Sequence, residues 1–230
     1  MASESLVRRW FGVVGFIVGL TAVDLILLMW GPPLLGRAIV RTLFGAAWIG
    51  WRRQALRKSS AKGAKKAPSW RLPAALGLSL ISFASIAVLR MLHADLSALY
   101  GDLHDPLILG YVILAAPFSE ELLFRQGFYE ELTRALPNKP KVATAINAAA
   151  FGLFHLSYGA LVLLAVWAPA LECGEEGCYP PLIKLQVLAA TAVGALLARL
   201  RRSERTFLPG VALHAALNAV IVGASLVWPA

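Results

Sequence analysis

The chain has 230 residues, 58% of them hydrophobic, and a mean hydropathy of +0.67, where an average soluble domain is about 45–50% apolar. Several apolar runs approach the roughly 20 residues of a spanning helix, and the alternating ten-residue segments of an outer-membrane barrel are absent, so an all-α polytopic transmembrane helix bundle is predicted. The net charge of +9 would suggest nucleic acid in a soluble protein, but the basic residues gather in short loops between apolar runs and mark topology, so the expected partner is the lipid bilayer and not nucleic acid.

Arg8 and Arg9 precede the first predicted span, Phe11 to Trp30, which carries Asp24 and resembles an uncleaved signal anchor, since Trp-Gly-Pro-Pro is no small-residue cleavage site. Asp24 is read as an interior hydrogen-bond partner in preference to part of a polar path. The second span, Leu34 to Trp51, is the weakest, and a tilted or interfacial helix is its alternative. Its Arg37 and Arg41 are one turn apart, on a face that snorkels or meets Asp24. Between Trp51 and Arg71 lie Arg52, Arg53, Arg57, Lys58, Lys62, Lys65, Lys66 and Arg71 with no acid, a flexible loop that belongs in the cytoplasm. The third span, Leu72 to Leu92, leads to Asp95, Asp102 and Asp105 on the outside. A fourth runs inward from Pro106, with Arg134, Lys139 and Lys141 on the cytoplasmic side and Pro137 and Pro140 ending the helix.

Residues 142–171 form a thirty-residue apolar run, and loop charge favours one crossing: a helix from Val142 to about Ser157, a bend near Ser157-Tyr158-Gly159, and a continuation near the outer surface. Leu182 to Leu200 returns inward and Phe207 to Trp228 goes out again. This makes about seven spans with a cytoplasmic N-terminus. Cys173 and Cys178 share the exterior loop, where they form either a small disulfide or two free thiols.

Ionisable residues interrupt the fourth span in FSEELLFRQGFYEE, residues 118–131. A charged group at a helix centre in a bilayer costs roughly 2.5–3.5 kcal/mol or more, so Glu120, Glu121 and Arg125 point to function, against the plainer reading of a helix end whose charges snorkel. Glu121 and Arg125 are four apart, the spacing at which helical side chains pair. Glu120 lies about 100° round the helix and stays free for chemistry. His155 closes FGLFH one turn after Phe151, and His214 and Asn218 in HAALN share one face. Each of these also reads as an ordinary core residue or interhelical glue. Depth joins them: at 1.5 Å per residue, Glu120 and His155 lie about 21 Å from the nearest cytoplasmic charges, and His214 and Asn218 about 14 and 20 Å. Glu120, His155, His214 and Asn218 are thus predicted in one layer inside the membrane.

EELLFR, FGLFH and HAALN, in that order, resemble the E-E-x-x-x-R, F-x-x-x-H and H-x-x-x-N patterns of the CPBP family of intramembrane endopeptidases, which includes the CAAX prenyl endopeptidases. The resemblance covers about Pro106 to Trp228, with no departure in the motif residues. It divides the chain into N-terminal membrane helices with a basic cytoplasmic loop, 1–105, and a CPBP-like protease core, 106–230. By resemblance Glu120 is the base that activates water, His155 orients that water, and His214 and Asn218 donate to the oxyanion. Glu121 and Arg125 support them.

The resemblance implies no metal and no other cofactor. Two histidines and a glutamate are also a zinc-like ligand set, so a zinc-dependent variant is the rival account. The expected partner is a protein or peptide substrate with a membrane-proximal cleavage site, either CAAX-type or a C-terminal sorting tail as in the myxosortase-like group. Richness in Ala, Leu, Gly and Arg points to a bacterial inner membrane. A non-catalytic scaffold or bacteriocin-immunity protein of the same fold stays open at this point. A transporter is disfavoured by the lack of a repeat and of paired broken helices.

Overall fold

The structure, a computed structural model, describes residues 2–30, 34–56, 71–91, 102–166 and 179–227. Seven helical rods account for almost all of them: α1 (Ala2–Trp30), α2 (Leu34–Leu56), α3 (Arg71–Met91), α4 (Pro106–Ala135), α5 (Pro140–Val166), α6 (Tyr179–Glu204) and α7 (Leu208–Val227). There is no strand among the described residues. By length and composition, α4 and α7 are long and apolar enough to cross a membrane, and Trp10–Val23 and Arg71–Ala87 are shorter apolar stretches. The side chains of Asp24 and Arg37, most of the basic segment after α2, and the cysteine-bearing loop lie outside the described residues.

The bundle is apolar on its outer faces and encloses a set of polar and charged side chains within an apolar core. Leu72, Leu76, Leu80 and Phe83 of α3 point outward, as do Leu107 and Leu114 of α4, while Glu120, Glu121, Arg125, Glu131, Asn147 and His214 are buried. One hydrophobic cluster joins α1, α3, α4, α5, α6 and α7. Within it Phe16 of α1 stacks on Phe128 of α4 at 5.7 Å, and Phe124 of α4 meets Phe151 and Phe154 of α5 at 5.1 and 5.0 Å. The first helices therefore pack directly on the helix that carries the glutamates.

Helix α4 is the organising element and is not a plain α-helix. Asp105 caps it by accepting from the Leu107 N–H at 2.8 Å, with Pro106 in the first turn, where its missing donor costs nothing. Two π-helical stretches, Tyr111–Ala115 and Leu122–Phe128, then bracket an α-helical stretch, Ala116–Glu121. Such insertions widen a turn and re-aim the side chains after it, and they recur at functional sites.

Charge pairs gather at one end of the bundle. Arg52 of α2 makes a two-pronged pair with buried Glu131 at 2.6 and 2.6 Å, and Arg134 adds a contact to Glu131 at 3.0 Å. Arg201 of α6 reaches Glu130 at 2.5 Å, and Arg71 of α3 reaches Glu204 at 2.6 Å. These bonds place the C-terminal ends of α2, α4 and α6 beside the N-terminal end of α3, so these helices run in alternate directions. Arg52, read from sequence as part of the basic loop, belongs instead to α2, which continues to Leu56. Glu130 and Glu131 do not simply sit at an interface; they are the acids that neutralise arginines of two other helices.

Two further expectations are corrected. Helix α5 runs without interruption to Val166 instead of bending near Ser157, because a single glycine costs a helix only about 1 kcal/mol and no proline is present there. Pro140 opens α5 and does not end α4, since proline suits the first helical position. Of the two alternatives for Arg41, snorkelling is excluded: it is buried with its guanidinium 4.7 Å over the Phe154 ring and faces the bundle.

Helices α5 and α6 approach closely through Gly152 and Gly194. A Cβ at Gly152 would lie 1.9 Å from Thr191 Oγ1 and 2.9 Å from the Val187 carbonyl oxygen. Thr191 is itself bonded to that carbonyl at 2.7 Å, so both must shift. Overpacking of this kind costs about 1–3 kcal/mol. Gly152→Ala is expected to lower the Tm in detergent by about 3–10 °C, and Thr191→Ala in the same chain should return part of the loss.

Candidate active site

Three helices deliver the site. The α-helical stretch of α4 ends in Glu120 and Glu121, and the following π turn carries Arg125. Helix α5 contributes Asn147, Phe151 and His155, four residues apart and therefore on one face. Helix α7 contributes His214 and Asn218. Gly210, one turn before His214, lets α7 come close to α4: a Cβ there would lie 2.8 Å from Glu121 Oε2. Any side chain at this position would press on the carboxylate.

The two adjacent glutamates face different partners. Glu121 Oε2 lies 3.2 Å from Arg125 Nε, both side chains being fully buried, in an ion pair without an aligned hydrogen bond. Glu120 is 6% exposed, and the ion pair of Arg125 is made with Glu121. Its Oε2 is approached by His155 Nε2 and by His214 Nε2, each at 3.8 Å. That distance is beyond a direct hydrogen bond and suits a group bridged through one oxygen. His155, His214 and Glu120 thus meet, as the shared depth predicted.

The histidine tautomers follow from what each ring faces. His155 Nδ1 lies 2.8 Å from the Phe151 carbonyl oxygen, which only accepts, so Nδ1 carries a proton and Nε2 is turned to Glu120. His214 Nδ1 lies 3.3 Å from Glu121 Oε1, so this ring bridges the two glutamates, one at each nitrogen. The Phe151 ring packs edge-on against both imidazoles, with centroids 4.8 Å from His155 and 5.8 Å from His214. It also carries the Arg125 guanidinium 4.4 Å over its face. Two carboxylates oppose one guanidinium here.

Asn218 bonds to helix backbone. Its Nδ2 donates to the Val112 carbonyl oxygen of α4 at 2.9 Å, two turns before Glu120. Asn147 was missed from sequence. It is fully buried, donates from Nδ2 to the Phe124 carbonyl oxygen at 2.8 Å and accepts from Arg125 Nη1 at 3.2 Å. The chain Asn147–Arg125–Glu121–His214 fixes one wall of the site. The available signal was its place two turns before His155, on the face that already carries Phe151.

A helical bundle with apolar outer faces, enclosing two carboxylates, two imidazoles and a guanidinium, defines a membrane-embedded hydrolase-like centre. Residues 102–220, just over half of the chain, match the Rce1-like type II CAAX prenyl endopeptidases, and the chain belongs to that family of membrane-embedded proteases. The match contains every site residue named above. No curated protein and no solved structure matches this chain.

Proposed function

We propose that the chain is an intramembrane endopeptidase that hydrolyses a peptide bond near the membrane end of a protein substrate with a water activated by Glu120. The observation that carries this reading is the convergence of His155 Nε2 and His214 Nε2 on Glu120 Oε2, at 3.8 Å each, while the neighbouring carboxylate is committed to Arg125. Glu120 takes a proton from a water held between its Oε2 and His155 Nε2, and the water oxygen attacks the scissile carbonyl carbon. His214, with one proton on Nδ1 facing Glu121 and a second on Nε2, donates to the developing oxyanion, and Asn218 supplies a further N–H. The carbon–nitrogen bond then breaks as Glu120 returns its proton to the leaving amine. Each oxyanion donor of this kind contributes about 3–4 kcal/mol.

The substrate reaches the site from the bilayer. An apolar groove of about 500 Å³ lies between α2, α4 and α7, lined by Ile39, Leu43, Leu114, Phe118 and Val211 among others. Phe118 and Val211 belong to the helices that carry Glu120 and His214, so an apolar tail or lipid chain in this groove would lie against the helices that form the site. Outward-facing leucines support seven membrane-crossing helices. The arginine-rich end faces the cytoplasm with the N-terminus, in a bacterial inner membrane, a reading supported by the charge pattern and the composition.

The zinc reading draws on the same residue types, although no three such side chains are disposed as a metal site among the described residues. The two readings part under chelation. The purified protein in vesicles, after exhaustive chelation, should still cut a membrane-anchored peptide at one internal bond identified by mass spectrometry. Activity lost to chelation and restored by one equivalent of zinc would make His155 and His214 ligands and reject the carboxylate mechanism. Prenylated and unprenylated versions of the peptide, run in parallel, distinguish CAAX-type processing from tail removal.

A further inference from the structure

The hydrogen bond made by Asn218 has a cause in α4. In the π-helical stretch the Ala116 N–H donates to the Tyr111 carbonyl oxygen, five residues back. The Val112 carbonyl has therefore lost its ordinary α-helical donor, Ala116, and the next residue able to serve it in the π register is residue 117. That residue is proline, which has no N–H. Val112 and Pro117 are both buried, so solvent offers no replacement. A buried carbonyl left without a donor is unfavourable, because it has given up its bond to water. Asn218 Nδ2, coming from α7, fills the gap at 2.9 Å.

We infer that Pro117 is a positioning residue for Asn218: by withholding a backbone donor it keeps the Val112 carbonyl open, and that carbonyl fixes which end of the Asn218 amide points into α4. A carbonyl oxygen only accepts, so the amide must present its nitrogen, and its second N–H is left for the site. With an amide proton at residue 117 the helix would satisfy Val112 internally, and Asn218 would lose the contact that sets its orientation. The kinetic part of this inference rests on the oxyanion role assigned to Asn218; the hydrogen-bond exchange does not.

The test is a double-mutant cycle between the two positions, read by thermal unfolding and by kinetics. Pro117→Val restores the N–H and keeps most of the ring volume, and Pro117→Ala serves as a second version without β-branching. Asn218→Ala should lower the Tm by several degrees in the wild-type chain and by less than half as much in either proline variant. In cleavage, Pro117→Val should reduce kcat by about tenfold or more with KM unchanged, on the scale of a misplaced oxyanion donor. Combining it with Asn218→Ala should be no worse than Asn218→Ala alone. Additive Tm losses overturn the inference, as does an unaltered kcat in the proline variants. Failure of both proline variants to accumulate also overturns it, because an added helix donor should strengthen α4. If Glu120→Gln cleaves at the wild-type rate the reaction assignment falls instead, and the Tm cycle still decides whether Pro117 governs the Asn218 contact.

Discussion

Glu120→Gln is expected to cut peptide hydrolysis by about 10²–10⁴-fold, the range of a positioned general base, while the protein accumulates and unfolds as the wild type does. The substitution preserves size and hydrogen-bonding capacity and removes only basicity. Stability should be spared because the ion pair of Arg125 is made with Glu121, whereas Glu120 faces two imidazole nitrogens at 3.8 Å, beyond direct hydrogen-bond distance. Glu121→Gln should behave differently. It weakens a fully buried ion pair and the contact that sets the His214 Nδ1 proton, so it should reduce abundance as well as rate. The pair of variants separates a chemical role from a structural one on adjacent residues. A wild-type rate, or an intact biological phenotype at normal abundance, in Glu120→Gln would leave a membrane scaffold as the better description.

Much of this site was legible because the helical repeat carries it. The spacing of Glu121 and Arg125, of Phe151 and His155, and of His214 and Asn218 each places two side chains on one face, and counting residues from the arginines placed three of the faces at one depth. What the repeat cannot report is a departure from itself. The carbonyls around the π turns of α4 find tertiary partners: Asn147 of α5 donates to the Phe124 carbonyl and Asn218 of α7 to that of Val112, and helical spacing alone names neither pair. Asn147 looked like any polar residue in an apolar helix, since its meaning lies in a carbonyl and a guanidinium more than twenty residues earlier in the chain.

Charge reading showed the same division. Basic segments marked one end of the bundle correctly, but which arginines were solvated was invisible. Arg52 and Arg201 are held by Glu131 and Glu130, contacts that only the assembled bundle creates. The bend expected near Ser157 failed for a simpler reason, since a glycine without a proline does not stop a helix.

Arg125→Ala is expected to lose both abundance and activity, and to do so more severely than any other substitution in the cluster. The side chain is wholly buried and serves three partners at once. It pairs with Glu121 at 3.2 Å, donates to Asn147 Oδ1 at 3.2 Å, and lies 4.4 Å over the Phe151 ring that backs both histidines. Truncation strands a carboxylate that no water can reach, and breaking a buried pair in this way costs about 3–5 kcal/mol, a large share of a domain's typical stability of roughly 5–15 kcal/mol. It also frees Glu121 and Phe151 to move, so that His214 loses its orientation toward Glu120. The stranded charge and the lost geometry can be told apart. Arg125→Met combined with Glu121→Gln removes both charges and fills most of the volume, so it should recover much of the abundance and thermal stability, since a buried pair replaced as a unit is often neutral. Cleavage should stay low, because no charged acceptor then faces His214 Nδ1. Membrane levels by immunoblot, Tm in detergent and single-turnover cleavage of the same preparations provide the three readouts. An Arg125→Ala chain with wild-type Tm would mean that Glu121 is not held by this pair, and an active double variant would remove the Glu121–His214 contact from the mechanism.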